Sequence, residues 1–319
     1  MKKQLDPRMI LKRHPENPVI RPDDIPGCMQ IFNPSPVEYN GHKLLLVSMV
    51  FFGKSGDENR MGETRIARST DGVHFTVESE QFIKLDPGIF PLNIVGRHII
   101  DNRVTKIDDT WYILTPVGTN QFDGPCTILG KTIDFKTYEY IDIITLPRNR
   151  GASLFPEKIG GKYYKLDRPG AGTGNFGSIW ISSSPDLIHW GSFRPVQTAF
   201  WPWGPTKIGP TPPIKTDRGW LVIIHGVRIP ADGSHYYIGA MLLDLHEPWK
   251  VIGRTRSYLL APDMQYEAIG TCCNVVFPCG ALADFKTDTL WLYYGAADTR
   301  VCLATGSINE IIEACEKEW

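Results

Sequence analysis

One local form recurs five times along this chain, and it limits the available folds more than any other feature. A turn leads into a strand rich in aromatic and aliphatic residues. The copies are Gly41-His42-Lys43-Leu44-Leu45-Leu46-Val47, Asp109-Thr110-Trp111-Tyr112-Ile113-Leu114, Gly161-Lys162-Tyr163-Tyr164-Lys165-Leu166, Gly219-Trp220-Leu221-Val222-Ile223-Ile224 and Thr289-Leu290-Trp291-Leu292-Tyr293-Tyr294. Successive copies lie roughly 50–70 residues apart, a spacing that signals blades or repeat arrays.

A second strand ending in a polar turn follows each copy. The clearest are Arg65 to Phe75 and Ile179 to Trp190, with Leu129 to Phe135 a looser third. Gly239 to Asp244 and Val301 to Gly306 fill the same place in the last two units. The pattern Ser-x-Asp-x-x-x-aromatic reads as a hairpin turn closed by the aspartate and plugged by the ring. Five such units, none able to bury its own faces, predict an all-β, five-bladed β-propeller. A β-sandwich is the structural alternative, but it does not call for five similar units at this spacing. Ile308 to Trp319 reads as a short closing helix. The expected division is an N-terminal extension over 1–26, the propeller over 27–306 and the helix over 307–319.

Composition narrows the function. A net charge of −1 gives no reason to expect nucleic acid or an anionic membrane as partner. Cys28, Cys126, Cys272, Cys273, Cys279, Cys302 and Cys315 are odd in number and lack framework spacing, which argues for a reducing compartment. Met1 to His14 has no apolar core, so it does not read as a signal peptide, and no apolar run is long enough to span a bilayer. A cytoplasmic location is expected. The scattered histidines lack ligand spacing, so no metal site is expected.

The stretch Arg150 to Pro169 carries the first hint of chemistry. Its strand, turn, strand form can bring Arg150 and Arg168 to the same end of a sheet, where two guanidinium groups make a rigid fork for an oxyanion. The alternative is that each simply pairs with a surface carboxylate. In a propeller, ligands sit at one end of the central channel, so functional residues should come one or two from each blade.

Taken together, the stretches Phe32-Asn33-Pro34, Asp101-Asn102-Arg103-Val104-Thr105-Lys106-Ile107, Asn149-Arg150 and Leu166-Asp167-Arg168-Pro169 make a recognisable set. So do Lys207-Ile208-Gly209, Pro213-Ile214-Lys215-Thr216, His225-Gly226-Val227, Tyr266-Glu267, Asn274-Val275-Val276-Phe277-Pro278 and Tyr293 to Thr299. With them the chain resembles glycoside hydrolase family 130, the mannoside phosphorylases. The resemblance runs from about Asn17 to the last strand, and the family is a five-bladed propeller.

Its implications are specific. Asp101 matches the general acid, thought to act on the glycosidic oxygen through a substrate hydroxyl. Arg150, Arg168, Lys215 and His225 match phosphate ligands, and Tyr236 adds a hydroxyl there. Asn33 and Asp298 match positions that hold glycone hydroxyls, and Arg103 matches the arginine of the acid's motif. The implied reaction is inverting phosphorolysis of a β-mannoside, a disaccharide or short oligosaccharide, giving α-mannose 1-phosphate. Inorganic phosphate is a co-substrate and no cofactor is needed; a homo-oligomer is compatible with this. By position alone, Asp101 could equally be a turn residue paired with Arg103, Lys215 a solvated surface charge and His225 a satisfied core histidine. Trp201 and Trp203 could stack on a sugar ring or simply pack.

Three departures bear on the glycone. Asn102 stands where the family usually has proline, Ser48-Met49 lacks the usual arginine, and Gly151 replaces a frequent asparagine. Two other functions stay open. Plain hydrolysis needs a carboxylate base for water, with Glu157 or Glu267 as candidates. A non-catalytic sugar-binding propeller needs neither acid nor base.

Overall fold

The strands of the computed structural model, which describes residues 6–51, 61–85, 99–118, 124–171 and 176–317, fall into five sheets that form the blades of a β-propeller. The first blade is Cys28–Tyr39, His42–Phe51, Met61–Ser69 and Thr76–Val77. The second is Arg103–Ile107, Thr110–Val117, Cys126–Thr132 and Glu139–Ile143, and the third Ser153–Leu154, Tyr163–Asp167, Ile179–Ser184 and Gly191–Gln197. The fourth is built on Lys207–Pro210, Trp220–Arg228, His235–Leu243 and Val251–Arg254. The last contains Val276–Pro278, Thr289–Ala296 and Arg300–Ser307.

The aromatic strand recognised in the sequence is the second strand of every blade. Outside the third blade, where Lys165 interrupts the run, its apolar residues follow one another because both faces are covered. Leu44 and Leu46 pack toward Val104 and Ile113 of the second blade, while Leu45 and Val47 pack toward Tyr293 and Leu303 of the last. Val222 and Ile224 meet Leu166 and Ile181 of the third blade; Leu221 and Ile223 meet Leu290 and Leu292 of the last. A further seam, with Ile107, Leu114 and Leu154, joins the second and third blades. The five seams close into a ring.

Closure uses a strand that sequence reading left in the extension. Lys12–Arg13 pairs antiparallel with Arg300–Ser307, Lys12 opposite Thr305, and supplies the outer strand of the last blade. Arg13 then reaches Glu267, which is fully buried, with two contacts of 2.8 Å. Glu267 also accepts from the Tyr294 hydroxyl at 2.7 Å. The helix Ile308–Lys317 buries Ile308, Ile311, Ile312 and Cys315 at helical spacing. It lies so close to the fourth blade that a Cβ on Gly253 would sit 2.8 Å from the Cys315 carbonyl.

The aspartate turns also form. Asp71, Asp134, Asp186 and Asp244 each accept hydrogen bonds from the amides two and three residues ahead. Phe75 and Phe135 plug against Tyr293 and Trp111.

Two expectations follow. Arg13→Met strands a buried carboxylate and should cost about 3 kcal/mol in urea unfolding, the low end for removing one partner of a buried pair; a loss under about 1 kcal/mol would deny Arg13 its closing role. The second concerns acid. The His74 ring and the turn amides lower Asp71, and turn amides lead the lowering of Asp134, Asp186 and Asp244. Carboxylates lowered on folding stabilise above their unfolded value of about 3.9 and lose that contribution as pH falls through and below it. The urea midpoint should therefore drop below about pH 4; a flat midpoint down to pH 2 would dismiss the turns as contributors.

Candidate active site

The first strand of each blade begins at one end of the central channel, and polar residues gather there. Asn33 lies in a bulge of the first blade, where the register jumps between Phe32 and Ser35. Its φ of 46°, with 59° at Asp101 and 46° at Asp298, puts three cavity residues in the left-handed region, where asparagine and aspartate are the most tolerated non-glycine residues. Gly295 permits the approach: a Cβ there would sit 2.1 Å from Asn33 Oδ1.

Asp101 is held on every side. Its amide donates to Ser48 Oγ at 2.9 Å and its carbonyl accepts from Arg103. One carboxylate oxygen accepts from Asn33 Nδ2 at 2.7 Å, the other from Arg150 Nε at 2.9 Å. Next to it, Asn102 ties Thr64 to Thr115 through bonds of 2.7 and 2.6 Å. Burial pushes the Asp101 carboxyl up, but Arg150, Arg103 and Asn33 outweigh it and hold the group below its ordinary value.

Arg150 and Arg168 meet as the strand, turn, strand reading expects. Arg150 N donates to the Arg168 carbonyl at 3.3 Å, and Arg168 Nε to the Arg150 carbonyl at 3.0 Å. Both line a cavity of about 120 Å³ with Asn33, Asp101, His225, Tyr236 and Asp298. Arg103 is buried behind them, its guanidinium 5.5 Å from the Phe277 ring. Gly151, at φ 89°, leaves the Arg103 and Arg168 side chains open to each other; a Cβ there would be 3.5 Å from Arg103.

Lys215 is the exception. It pairs opposite Trp220, five residues along the strand from His225, so it lies roughly 16 Å from that end of the sheet. Half-exposed, it bridges Glu157 at 2.6 Å. The cavity lysine is Lys207, which opens the first strand of the fourth blade. Burial, then Arg168 and Arg150, push Lys207 down to about 8. Burial and the same neighbouring charge bring Arg168 to about 10. His225 is buried with both ring nitrogens unpartnered among the described residues, and burial among these cations keeps it neutral. Gly209 gives it room, since a Cβ there would sit 2.3 Å from the ring. Burial and then Asp101 raise Asp298 to about 6. Among the described residues no carboxylate pairs with Arg168 or Lys207, so Arg150, Arg168 and Lys207 outnumber the two cavity carboxylates, Asp101 and Asp298.

The remaining candidates resolve by burial. Trp203 is 2 % exposed and donates to the Arg256 carbonyl, so it packs; Trp201 is 68 % exposed beside Arg228. Glu157 is engaged by Lys215 and Glu267 by Arg13, so neither proposed base reaches the cavity. A larger cleft of about 550 Å³ lies between the first two blades, but its Arg68 is already paired with Glu78.

Residues 6–317 match the family profile described as beta-1,4-mannooligosaccharide phosphorylase. This chain belongs to glycoside hydrolase family 130. A β-1,4-mannooligosaccharide phosphorylase of Ruminococcus albus is 35 % identical over 98 % of this chain and 92 % of its own length. A β-1,2-mannobiose phosphorylase of Listeria innocua is 34 % identical over 97 % and 99 %. The solved structure of a Listeria innocua β-1,2-mannobiose phosphorylase, in complex with β-1,2-mannobiose, superposes with a TM-score of 0.86 at 32 % identity, covering 96 % of this chain and 99 % of that one. The family 130 chain described here is accordingly an enzyme of the glycoside phosphorylase type.

Lys207 was within reach of the sequence. It heads Lys207-Ile208-Gly209, the short strand before the fourth aromatic strand, as Arg103 heads the first strand of the second blade. Lys215 follows that strand rather than opening it. The coupling of charges in the cavity can be tested directly. With lysines ¹³C-dimethylated, Lys207 should titrate near 8, and Arg168→Met should move it upward. An unchanged titration would mean that the two charges do not face one another.

Proposed function

We propose that the protein is an inverting β-mannoside phosphorylase, cleaving a disaccharide or short oligosaccharide with inorganic phosphate to release α-mannose 1-phosphate. The observation that carries this is the cation excess: Arg150, Arg168 and Lys207 converge with neutral His225 beside Asp101. Phosphate neutralises such a group of side chains, whereas water leaves it uncompensated. Arginine grips phosphate oxygens in pairs, the lysine adds a point charge and the imidazole donates one hydrogen bond. Tyr236, stacked on His225 with ring centroids 6.1 Å apart, offers its hydroxyl to the same ligand.

In the forward reaction a phosphate oxygen attacks the anomeric carbon on the face opposite the leaving group. The glycosidic bond breaks, its oxygen takes the proton that originates on Asp101, and the β configuration becomes α. Asn33 and Asp298 hold glycone hydroxyls, and Arg103 fixes Asp101 through its carbonyl. The proton donor and the phosphate share Arg150. While Arg150 is on Asp101, the acid is held ionised; when phosphate draws Arg150 away, a main cause of that lowering is removed and the carboxyl rises toward the protonated form that donation requires. Loading phosphate therefore arms the acid.

The β-1,4 and β-1,2 relatives leave the linkage to experiment. An odd number of cysteines without framework spacing suits a reducing cytoplasm. Residues 27–306 form the catalytic unit, with Lys12–Arg13 completing its last blade.

The decisive assay incubates β-1,4- and β-1,2-mannobiose with and without inorganic phosphate and measures mannose 1-phosphate. Turnover independent of phosphate would replace this reading by hydrolysis, and no turnover on any β-mannoside by sugar binding alone. Asp101→Asn should lower turnover by at least about 100-fold, the scale of a lost general acid, while the circular dichroism spectrum stays unchanged. Lys207→Ala should raise the KM for phosphate about ten-fold or more, equivalent to about 1.4 kcal/mol of lost contact. Lys215→Ala should leave it within two-fold; equal effects from both variants would return Lys215 to the site.

A further inference from the structure

Behind the two cavity arginines lies a buried charge pair that the proposed reaction never touches. Lys165 and Asp167 stand two apart on the strand Tyr163–Asp167, so their side chains share one face. They are 0 % and 1 % exposed. The Lys165 ammonium sits 2.5 and 2.6 Å from the two carboxylate oxygens and 4.7 Å from the Trp190 ring centroid. Burial pushes Lys165 down despite its partner. Stability does not account for this arrangement, because removing two charges from water offsets most of their attraction and an apolar pair of similar volume folds as well or better.

Its other contacts point elsewhere. Asp167 accepts from Ser182 Oγ at 2.7 Å and from Asn149 Nδ2 at 3.1 Å. A carboxylate only accepts, so it obliges Asn149 to turn its amino group inward and its carbonyl oxygen outward. That oxygen accepts the amide of Arg168 at 3.2 Å. The regular sheet has ended here. Beyond the pair Ser153 and Leu166, the two segments are joined by the single bridge of Asn149 with Pro169. The mutual bonds of Arg150 and Arg168 depend on that register.

Resting on the phosphorylase reading, we propose that Asp167, acting through Asn149, is the positioning residue that sets where the guanidinium groups of Arg150 and Arg168 meet phosphate. It touches neither phosphate nor sugar. Lys165 holds it ionised and in one rotamer, Ser182 fixes its second oxygen, and Asn149 carries its orientation to the backbone between the two arginines.

The test is inorganic phosphate binding by calorimetry, paired with separate KM values for phosphate and β-mannobiose. Asn149→Ala removes the link without stranding a buried charge. Phosphate Kd and KM should rise on the order of ten-fold or more, since a misplacement of about 1 Å remote from the chemistry can cost up to ~100-fold, while the mannobiose KM stays within two-fold. The double variant Lys165→Met, Asp167→Asn neutralises the pair at similar volume and should give the same phosphate loss with the thermal midpoint retained. A purely structural role predicts the reverse, a lowered midpoint with unchanged phosphate Kd, and that result overturns the proposal while leaving phosphorolysis in place. If the unaltered protein neither binds nor uses phosphate, both readings fall.

Discussion

Every blade of this protein is apolar on both faces, and no blade can be left uncovered. That constraint drives the rest. A strand such as Trp220–Arg228 sends alternate residues into two different seams, so each sheet needs a neighbour on either side, and only a ring provides one for all five. Polar side chains are thereby driven out of the seams to strand ends. The same packing that builds the core assembles the site, since the openings of the first strands face one channel and residues as distant in sequence as Asn33, Asp101, Arg168 and Asp298 line one cavity.

What fills that channel is charge under tension. Arg168 and Lys207 are crowded against Arg150 with their basicity lowered, while His225 stays neutral beside them. Of the two carboxylates that line the cavity, Asp101 is claimed by Arg150. The three departures from the family pattern also find physical accounts. Ser48 offers a hydroxyl to the Asp101 amide, and Asn102 uses its side chain to join Thr64 and Thr115 across the first and second blades. Gly151, in the left-handed region, opens space between Arg103 and Arg168 that a side chain would fill.

The architecture was legible because its signal is periodic. The apolar run repeats in five blades, with aspartate turns at Asp71, Asp134, Asp186 and Asp244, and the structure turns these into second strands and blade corners. The convergence of Arg150 and Arg168 was legible because both lie on one hairpin. Lys215 was misplaced for the opposite reason. It and Lys207 both precede the same aromatic strand and pair with it, and only the register, Lys207 against Val227 and Lys215 against Trp220, separates the channel end from the rim. Register of that kind is fixed by pairing between strands, and the one local sign of it was that Lys207 opens its strand whereas Lys215 lies after it. Trp201 and Trp203 differ likewise: Gly226 and Gly239 make a slot for the second ring and leave the first outside. The closing strand Lys12–Arg13 was invisible because two residues carry no period at all.

That short strand has a consequence for how the molecule is made. Its partner, Arg300–Ser307, belongs to the fifth blade, so the ring cannot be fastened until every blade has been made. Until then the seam between the first and last blades, with Ile31, Leu45 and Val47 on one side, stands open to other chains. Nascent propellers of this type therefore have a late window of stickiness, and chaperone demand should concentrate there rather than at the earlier blades.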